Sequence, residues 1–170
     1  MNRRLVKGFI IALAGLFVFM TLLSLFIPSR IRISRGVLIH AQPALAYAQV
    51  SELSNWKNWQ PVFKKDPAGI RISGDTAYWQ TGNRENALFV TGRTANTVSA
   101  MLERKGENAM INTIRVLPLA DSTQVQVEWN VEIRLKWYPW EKLYGIFIEK
   151  MSGQGYENAL NGLKEYCENR

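Results

Sequence analysis

Residues Ser122–Trp137, with the sequence STQVQVEWNVEIRLKW, decide the fold of this chain. From Val125 onward every second residue is apolar, and the residues between them are polar or charged. The apolar members are Val125, Val127, Trp129, Val131, Ile133, Leu135 and Trp137. Because successive side chains point to opposite faces only in a β-strand, the pattern predicts one long antiparallel strand with a single buried face. Its indoles, Trp129 and Trp137, need a covering element, and the helical pattern that begins at Pro139 is a candidate.

A second stretch, near the N-terminus, is apolar without alternation. Residues 8–27 carry no charge, and about 20 apolar residues in a helix span the hydrocarbon core of a bilayer. A cleaved signal peptide is the alternative. However, the run exceeds the usual apolar length of about 7–15 residues, and Pro28-Ser29-Arg30 lacks a small-x-small cleavage site. We therefore expect an uncleaved membrane anchor at residues 1–28 and one globular domain at residues 29–170.

Basic residues flank the apolar stretch on both sides. The clusters at residues 3–7 and 30–35 contain equal numbers of basic residues, so the positive-inside rule barely favours either orientation. The very short N-terminus beside a basic cluster favours a cytoplasmic N-terminus, with the domain on the other side of the membrane.

Composition argues against several functional classes. The formal net charge is +7, but three of these charges lie beside the anchor, and the remaining Lys and Arg alternate with Asp and Glu. We therefore expect no nucleic-acid binding, and the basic ends suit anionic lipid headgroups better. Cys167 is the only cysteine and His40 the only histidine. No disulfide, Cys/His metal site or cofactor is therefore expected, and a Ser-His-Asp triad would need His40, which lies in a predicted strand.

The rest of the domain alternates in the same way as the long strand. Residues 30–40 predict a first strand, Pro43 begins a short helix, and a further turn that ends at Pro61 puts Trp56 and Trp59 on one side. Five short strands then follow, over residues 69–73, 76–81, 85–93, 97–105 and 109–117. Connections this short join neighbouring antiparallel strands, so the prediction is a sheet of seven antiparallel strands.

The C-terminal segment carries two helical stripes of apolar residues. The first stripe is Trp140, Leu143, Tyr144, Phe147, Ile148 and Met151, and the second is Tyr156, Leu160, Leu163 and Cys167. The stripes are offset by about one residue, and Gly153-Gln154-Gly155 lies between them, so we expect a break or a kink there. Cys167 falls on the apolar side of the last turn, which predicts a packed thiol rather than a reactive one.

Three short patterns, in this order, resemble the polyketide cyclase/START-like superfamily (SRPBCC, Bet v 1-like). They are Ile39–Pro43, where Gln42 is one residue more than the family pattern has, then Leu53–Pro61, and Lys150–Gly153 with Tyr156–Lys164. The resemblance covers residues 31–168, in a branch of largely uncharacterised, membrane-anchored bacterial proteins. It implies an α+β helix-grip fold, in which a curved seven-stranded antiparallel sheet wraps a long C-terminal helix. It also implies a bacterial inner membrane, and it carries over no catalytic signature.

In a helix-grip fold a cavity lies between the sheet and that helix, and it suits an apolar small molecule or a lipid. We expect the cavity to be lined by Trp59, Trp79, Trp129, Val131, Ile133, Tyr156 and Leu160. Alternation does not decide whether Trp79 or Tyr78 points inward, and a solid core without a cavity is the alternative.

Three functions remain compatible with this pattern. The leading hypothesis is a non-catalytic binding module; the others are a polyketide-cyclase-like enzyme and an envelope protein–protein interaction domain. An enzyme would need an acid and a base inside the cavity, yet Glu128 and Glu132 lie on the polar face. The facing of Glu103 and Arg115 is left open. An inward carboxylate would favour the enzyme, an open apolar cavity the binder and a filled core the interaction domain.

Overall fold

The computed structural model describes residues 3–120 and 123–170. Helix α1 (Arg3–Ser24) comes first. Within those residues, Val6–Ser24 is the one helical stretch long and apolar enough to cross a membrane, and its apolar window is exposed along its length. Signal sequences can have the same length and composition.

Seven antiparallel strands form one sheet, as the alternation predicted. The strands are β1 (Arg30–Ile39), β2 (Arg71–Ser73), β3 (Thr76–Thr81), β4 (Arg84–Arg93), β5 (Thr97–Arg104), β6 (Met110–Pro118) and β7 (Val125–Arg134). Their order in the sheet is β1-β7-β6-β5-β4-β3-β2. The first strand thus returns to pair with the last, from Arg30 opposite Arg134 to Ile39 opposite Val125. A bulge between Val90 and Gly92 shifts the register of β4 against β5, and such bulges bend a strand.

Strand β7 is shorter than the predicted strand. Its odd residues are buried from Val125 through Leu135, as predicted. Trp137, however, is 65% exposed, so the prediction of a buried indole there is wrong. The physical reason is that the chain must leave the sheet before Pro139 begins the next helix. Ser122, where the predicted strand starts, lies outside the described residues.

The three short helical segments between β1 and β2 hold a cluster of aromatic rings. Helix α2 (Pro43–Ser51) and a 3-10 turn (Leu53–Asn58) match the predicted helix and turn. Helix α3 (Pro61–Lys65) was not predicted. Pro61 begins this helix instead of ending the segment, because the Gln60 side chain accepts hydrogen bonds from the backbone of residues 62 and 63.

The C-terminal helix α4 (Pro139–Glu168) is continuous, so the predicted break at residues 153–155 is wrong. Its glycines permit close packing. A Cβ atom at Gly162 would lie 2.4 Å from the carbonyl oxygen of Trp59, and one at Gly153 would lie 2.4 Å from Nη2 of Arg35. Tertiary packing therefore outweighs the helix-propensity cost of about 1 kcal/mol per glycine.

The two apolar stripes of α4 have different surroundings. In the second stripe Leu160, Leu163 and Cys167 are buried in the core, and the Cys167 thiol is packed as predicted. Burial raises the pKa of the Cys167 thiol to about 11. Most of the first stripe is exposed to solvent: Trp140, Tyr144, Phe147 and Met151 are each more than half exposed. The inward face of this half of α4 instead presents Lys142 and Gly145, both buried.

Candidate ligand cavity

A cavity of about 370 Å³ lies between α4 and the sheet, within the size range of small-molecule sites. It is lined by apolar and aromatic side chains at one end and by charged side chains at the other. The apolar lining includes Trp56, Phe63, Trp79, Leu102, Met110 and Trp129. The polar lining includes Arg84, Asn86, Arg104, Glu107 and Asn112. An open space therefore exists where a filled core was the alternative.

Trp129 is the centre of the aromatic wall. Its ring centroid lies 5.1 Å from that of Tyr156, 5.8 Å from that of Trp56 and 6.0 Å from that of Trp59, each in an edge-on arrangement. Its indole nitrogen donates a buried hydrogen bond of 3.0 Å to Oδ1 of Asn112. The strand thus presents a fixed apolar surface whose one polar atom is already satisfied.

Tyr156 places a hydroxyl group beside this wall. The hydroxyl donates to the Sδ atom of Met110 over 3.8 Å. Burial raises the pKa of Tyr156, although the positive charge of Arg104 acts in the opposite direction. The phenol therefore stays protonated at neutral pH and keeps one O–H donor.

The structure decides which residue of β3 faces inward. The ring of Trp79 lies 5.7 Å from that of Phe63 and lines the cavity. Tyr78 lies on the other face of the sheet, where its ring meets Phe89 and the Arg71 guanidinium, which is 5.1 Å from the ring centroid.

The remaining predicted residues lie elsewhere. Trp59 is fully buried behind the cavity wall and donates from its indole nitrogen to the carbonyl of Gln49 over 3.0 Å. Val131 and Leu160 are buried in the core. Ile133 lines a neighbouring pocket of about 260 Å³. The fold therefore brings Trp79, Trp129 and Tyr156 together at the larger cavity.

Sequence reasoning missed the charged end of the cavity. The carboxylate of Glu107 lies 2.5 Å from Nη1 of Arg84 and 3.7 Å from Nη1 of Arg104. The parity of β5 could have found Arg104, since Val98, Ala100 and Leu102 face inward and Arg104 continues that series. Glu107 belongs to a turn, where no periodicity exists. Glu103 and Arg115, whose facing was left open, are exposed.

The charged and apolar residues of the lining determine which chemistry the cavity can support. Among the described residues that line the cavity, Glu107 is the one carboxylate, and it lies between two guanidinium groups. Nor do the residues described in the structure form a group of three or more His, Cys, Asp or Glu that could hold a metal ion. The apolar walls can bury the apolar part of a ligand, and the hydrogen-bond donors at the charged end can bind a polar group of the ligand.

The comparisons with known proteins are informative at the level of structure. No protein-family model matches the chain, and no curated protein matches it. A START superfamily protein from Mycobacterium smegmatis is similar, with a TM-score of 0.61, 14% identity and coverage of 81% of this chain and 97% of that one. An aromatase/cyclase, Zhui, from a Streptomyces species has a TM-score of 0.60 and 11% identity over 83% of this chain and 95% of that one.

A third similar structure is the Aha1 dimer from Colwellia psychrerythraea. Its TM-score is 0.56 at 15% identity, with 81% of this chain and 96% of that chain covered. These similarities agree with the sheet order and the long C-terminal helix, and they confirm the predicted α+β helix-grip architecture. The chain has a START-like helix-grip fold, similar to that of the START superfamily protein and the aromatase/cyclase.

Proposed function

We propose that this chain is a membrane-tethered domain that binds an apolar small molecule or a lipid in the cavity beneath α4 and releases it chemically unchanged. The observation that carries this proposal is the open cavity of about 370 Å³ with an aromatic wall. START-like folds commonly hold hydrophobic small molecules. Burial of an apolar guest contributes about 25 cal/mol per Å² of surface removed from water.

The polar residues of the cavity support a guest that is apolar at one end and polar or anionic at the other. Arg84 and Arg104 line this end, and Asn112 and Tyr156 lie deeper. Guanidinium groups bind carboxylates and phosphates well. A guest with an apolar body and a polar or anionic head matches both ends of the space.

The N-terminal segment supports the membrane tether. The apolar window of Val6–Ser24 has no buried residue, as a helix surrounded by lipid would have. We propose that residues 1–28 remain as an anchor, that residues 29–170 form the domain and that the N-terminus is cytoplasmic.

A cyclase-like enzyme is the second candidate, because Tyr156 and Glu107 both line the cavity. The same geometry also argues against it. Glu107 lies between two arginines, and the hydroxyl of Tyr156 meets a thioether rather than a base. Recovery of a bound guest from the purified protein, followed by liquid chromatography and mass spectrometry before and after incubation, distinguishes the two, because only an enzyme would convert it into a compound of different retention time or mass.

The binding proposal is tested with a soluble fragment of residues 29–170, after cooperative unfolding has shown that it is folded. We expect saturable binding of an environment-sensitive apolar dye. Ser152 lines the cavity from α4, so Ser152→Phe should fill the space and weaken binding. Asn161 is exposed on the same helix, and Asn161→Phe is the matched control. A folded fragment that binds neither dye nor lipid would contradict the proposal and favour the protein-interaction role.

A further inference from the structure

The first half of α4, and a residue two positions before its start, expose a line of large apolar side chains. We call this line the outer stripe; its members are Trp137, Trp140, Tyr144, Phe147 and Met151. They are between 55 and 67% exposed. Their spacing of three and four residues places them on one side of the helix. Soluble proteins bury such a stripe, and an exposed apolar patch of this kind marks an interaction surface.

The outer stripe ends abruptly within the same helix. Beyond Met151 the exposed positions are polar: Gln154, Glu157, Asn158, Asn161 and Glu165. One continuous helix therefore has an outward face that is apolar at one end and polar at the other. Whatever binds the outer stripe would therefore contact only the half of α4 that follows β7.

That end of α4 lies beside the N-terminal helix. Trp140 and Leu143 line a groove together with Leu13, Phe17 and Met20 of α1. The ammonium group of Lys142 donates a hydrogen bond of 3.1 Å to the carbonyl of Ile27, just after α1 ends. The outer stripe thus continues the apolar surface of the helix that is long enough to span a bilayer.

The chemistry of the stripe matches the boundary between lipid and water. Tyr138 lies between two indoles, with ring centroids 5.0 Å from Trp137 and 5.2 Å from Trp140. Trp and Tyr are enriched at the headgroup level of membranes. The exposed cations Arg134 and Lys136 precede the stripe, where they can meet anionic headgroups.

We propose that the outer stripe is a lipid-contacting surface that enters the membrane that holds α1. The domain then lies against the bilayer instead of moving freely on a tether. This inference rests on the proposed membrane anchor. Lipid is favoured over a second protein because the stripe is continuous with the membrane helix and carries aromatic and cationic residues at its beginning.

Tryptophan fluorescence of the full chain in liposomes provides the first test. Helix α1 contains no tryptophan, and Trp137 and Trp140 are exposed while Trp56, Trp59 and Trp129 are buried. Lipids brominated along the acyl chain quench by contact. We expect quenching close to the share of two tryptophans among six, and its loss in the Trp137→Phe/Trp140→Phe double variant. Equal quenching of the double variant would overturn the proposal.

A second test uses a fluorophore on a single introduced cysteine, in a Cys167→Ala background. Phe147→Cys lies on the outer stripe, and Asn161→Cys on the polar part of the same helix is its control. We expect brominated lipid to quench the label at 147 and aqueous iodide to quench the label at 161. Equal responses at both positions would overturn the proposal. Protection of 147 from both quenchers would do so as well, because a protein surface would then cover the stripe.

Alkaline carbonate extraction of the same liposomes separates the two proposals. Release of the chain would refute the anchor itself. Retention without lipid quenching would leave the anchor intact and refute only the outer stripe.

Discussion

Replacing Trp129 with alanine removes the side chain that joins the cavity wall to the core. The indole is 3% exposed and touches the rings of Trp56, Trp59 and Tyr156. Loss of a buried aromatic side chain of this size costs about 3–5 kcal/mol in the free energy of unfolding. Asn112, only 2% exposed, also loses the donor to its Oδ1 atom, although water that enters the enlarged cavity can replace it. We therefore expect a total loss of about 3–5 kcal/mol, a large share of the 5–15 kcal/mol typical of a domain.

Two further variants divide this loss into its causes. Trp129→Phe keeps a ring but removes the indole N–H, so it should cost about 1–3 kcal/mol through the unpaired Asn112. Glu128→Ala changes the next residue, whose side chain points to the opposite face, and it should stay within about 0.5 kcal/mol. Urea unfolding of the full chain in detergent micelles, followed by circular dichroism, measures all three. Equal losses at positions 128 and 129 would refute the assignment of faces in β7.

Three other predictions follow from the same contacts. The Glu132 carboxylate lies 3.5–3.8 Å from the guanidinium groups of Arg30, Arg32 and Arg134. Glu132→Ala should therefore lower the free energy of unfolding by about 1 kcal/mol at low salt, because the three like charges lose their shared partner. Urea unfolding at about 1 M salt should show a smaller loss, and a loss unaffected by salt would contradict the electrostatic origin. Burial raises the pKa of Cys167 from 9 to about 11. Because the neutral thiol is the favoured form in the folded state, its contribution to stability is complete below pH 9 and is lost as the pH rises to about 11. The melting temperature should therefore fall over that interval, and by less in Cys167→Ala; identical falls would contradict this. The chain isolated from membranes should retain residues 1–28, which intact mass spectrometry checks, and an N-terminus near residue 30 would show that the anchor is cleaved.

Local patterns predicted most of the sheet because alternation reports directly on which face is buried. The strand limits agree within a few residues, and the inward series of β7 holds from Val125 to Leu135. The errors occur where tertiary contacts override local preference. Gly153 suggested a helix break, but α4 continues through it, with the guanidinium group of Arg35 packed against it. Trp137 continued the alternation in sequence after the chain had left the sheet.

The candidate site was less predictable for a related reason. Parity can place a residue on the inner face, but it cannot tell a cavity wall from solid core. Trp129 and Val131 are both inward on β7, yet only Trp129 is among the residues that line the larger cavity. The same parity argument could have predicted Arg104, whereas Glu107 occupies a turn and pairs with Arg84 and Arg104 across the site. Periodicity predicted the apolar stripe in the first half of α4 but not its exposure, because periodicity identifies the apolar side of a helix and not the medium that covers that side.

Met110 lies on the boundary between two spaces. Its side chain lines both the cavity of about 370 Å³ and the neighbouring pocket of about 260 Å³, and its sulfur meets the hydroxyl of Tyr156. The second pocket is bounded on its other side by Trp140 and Tyr144 of the outer stripe. Glu107 also lines both spaces. The unbranched side chain of Met110, with three rotatable bonds, therefore forms part of the wall between them. The sizes of the two compartments are coupled, so any substitution at position 110 changes both at once.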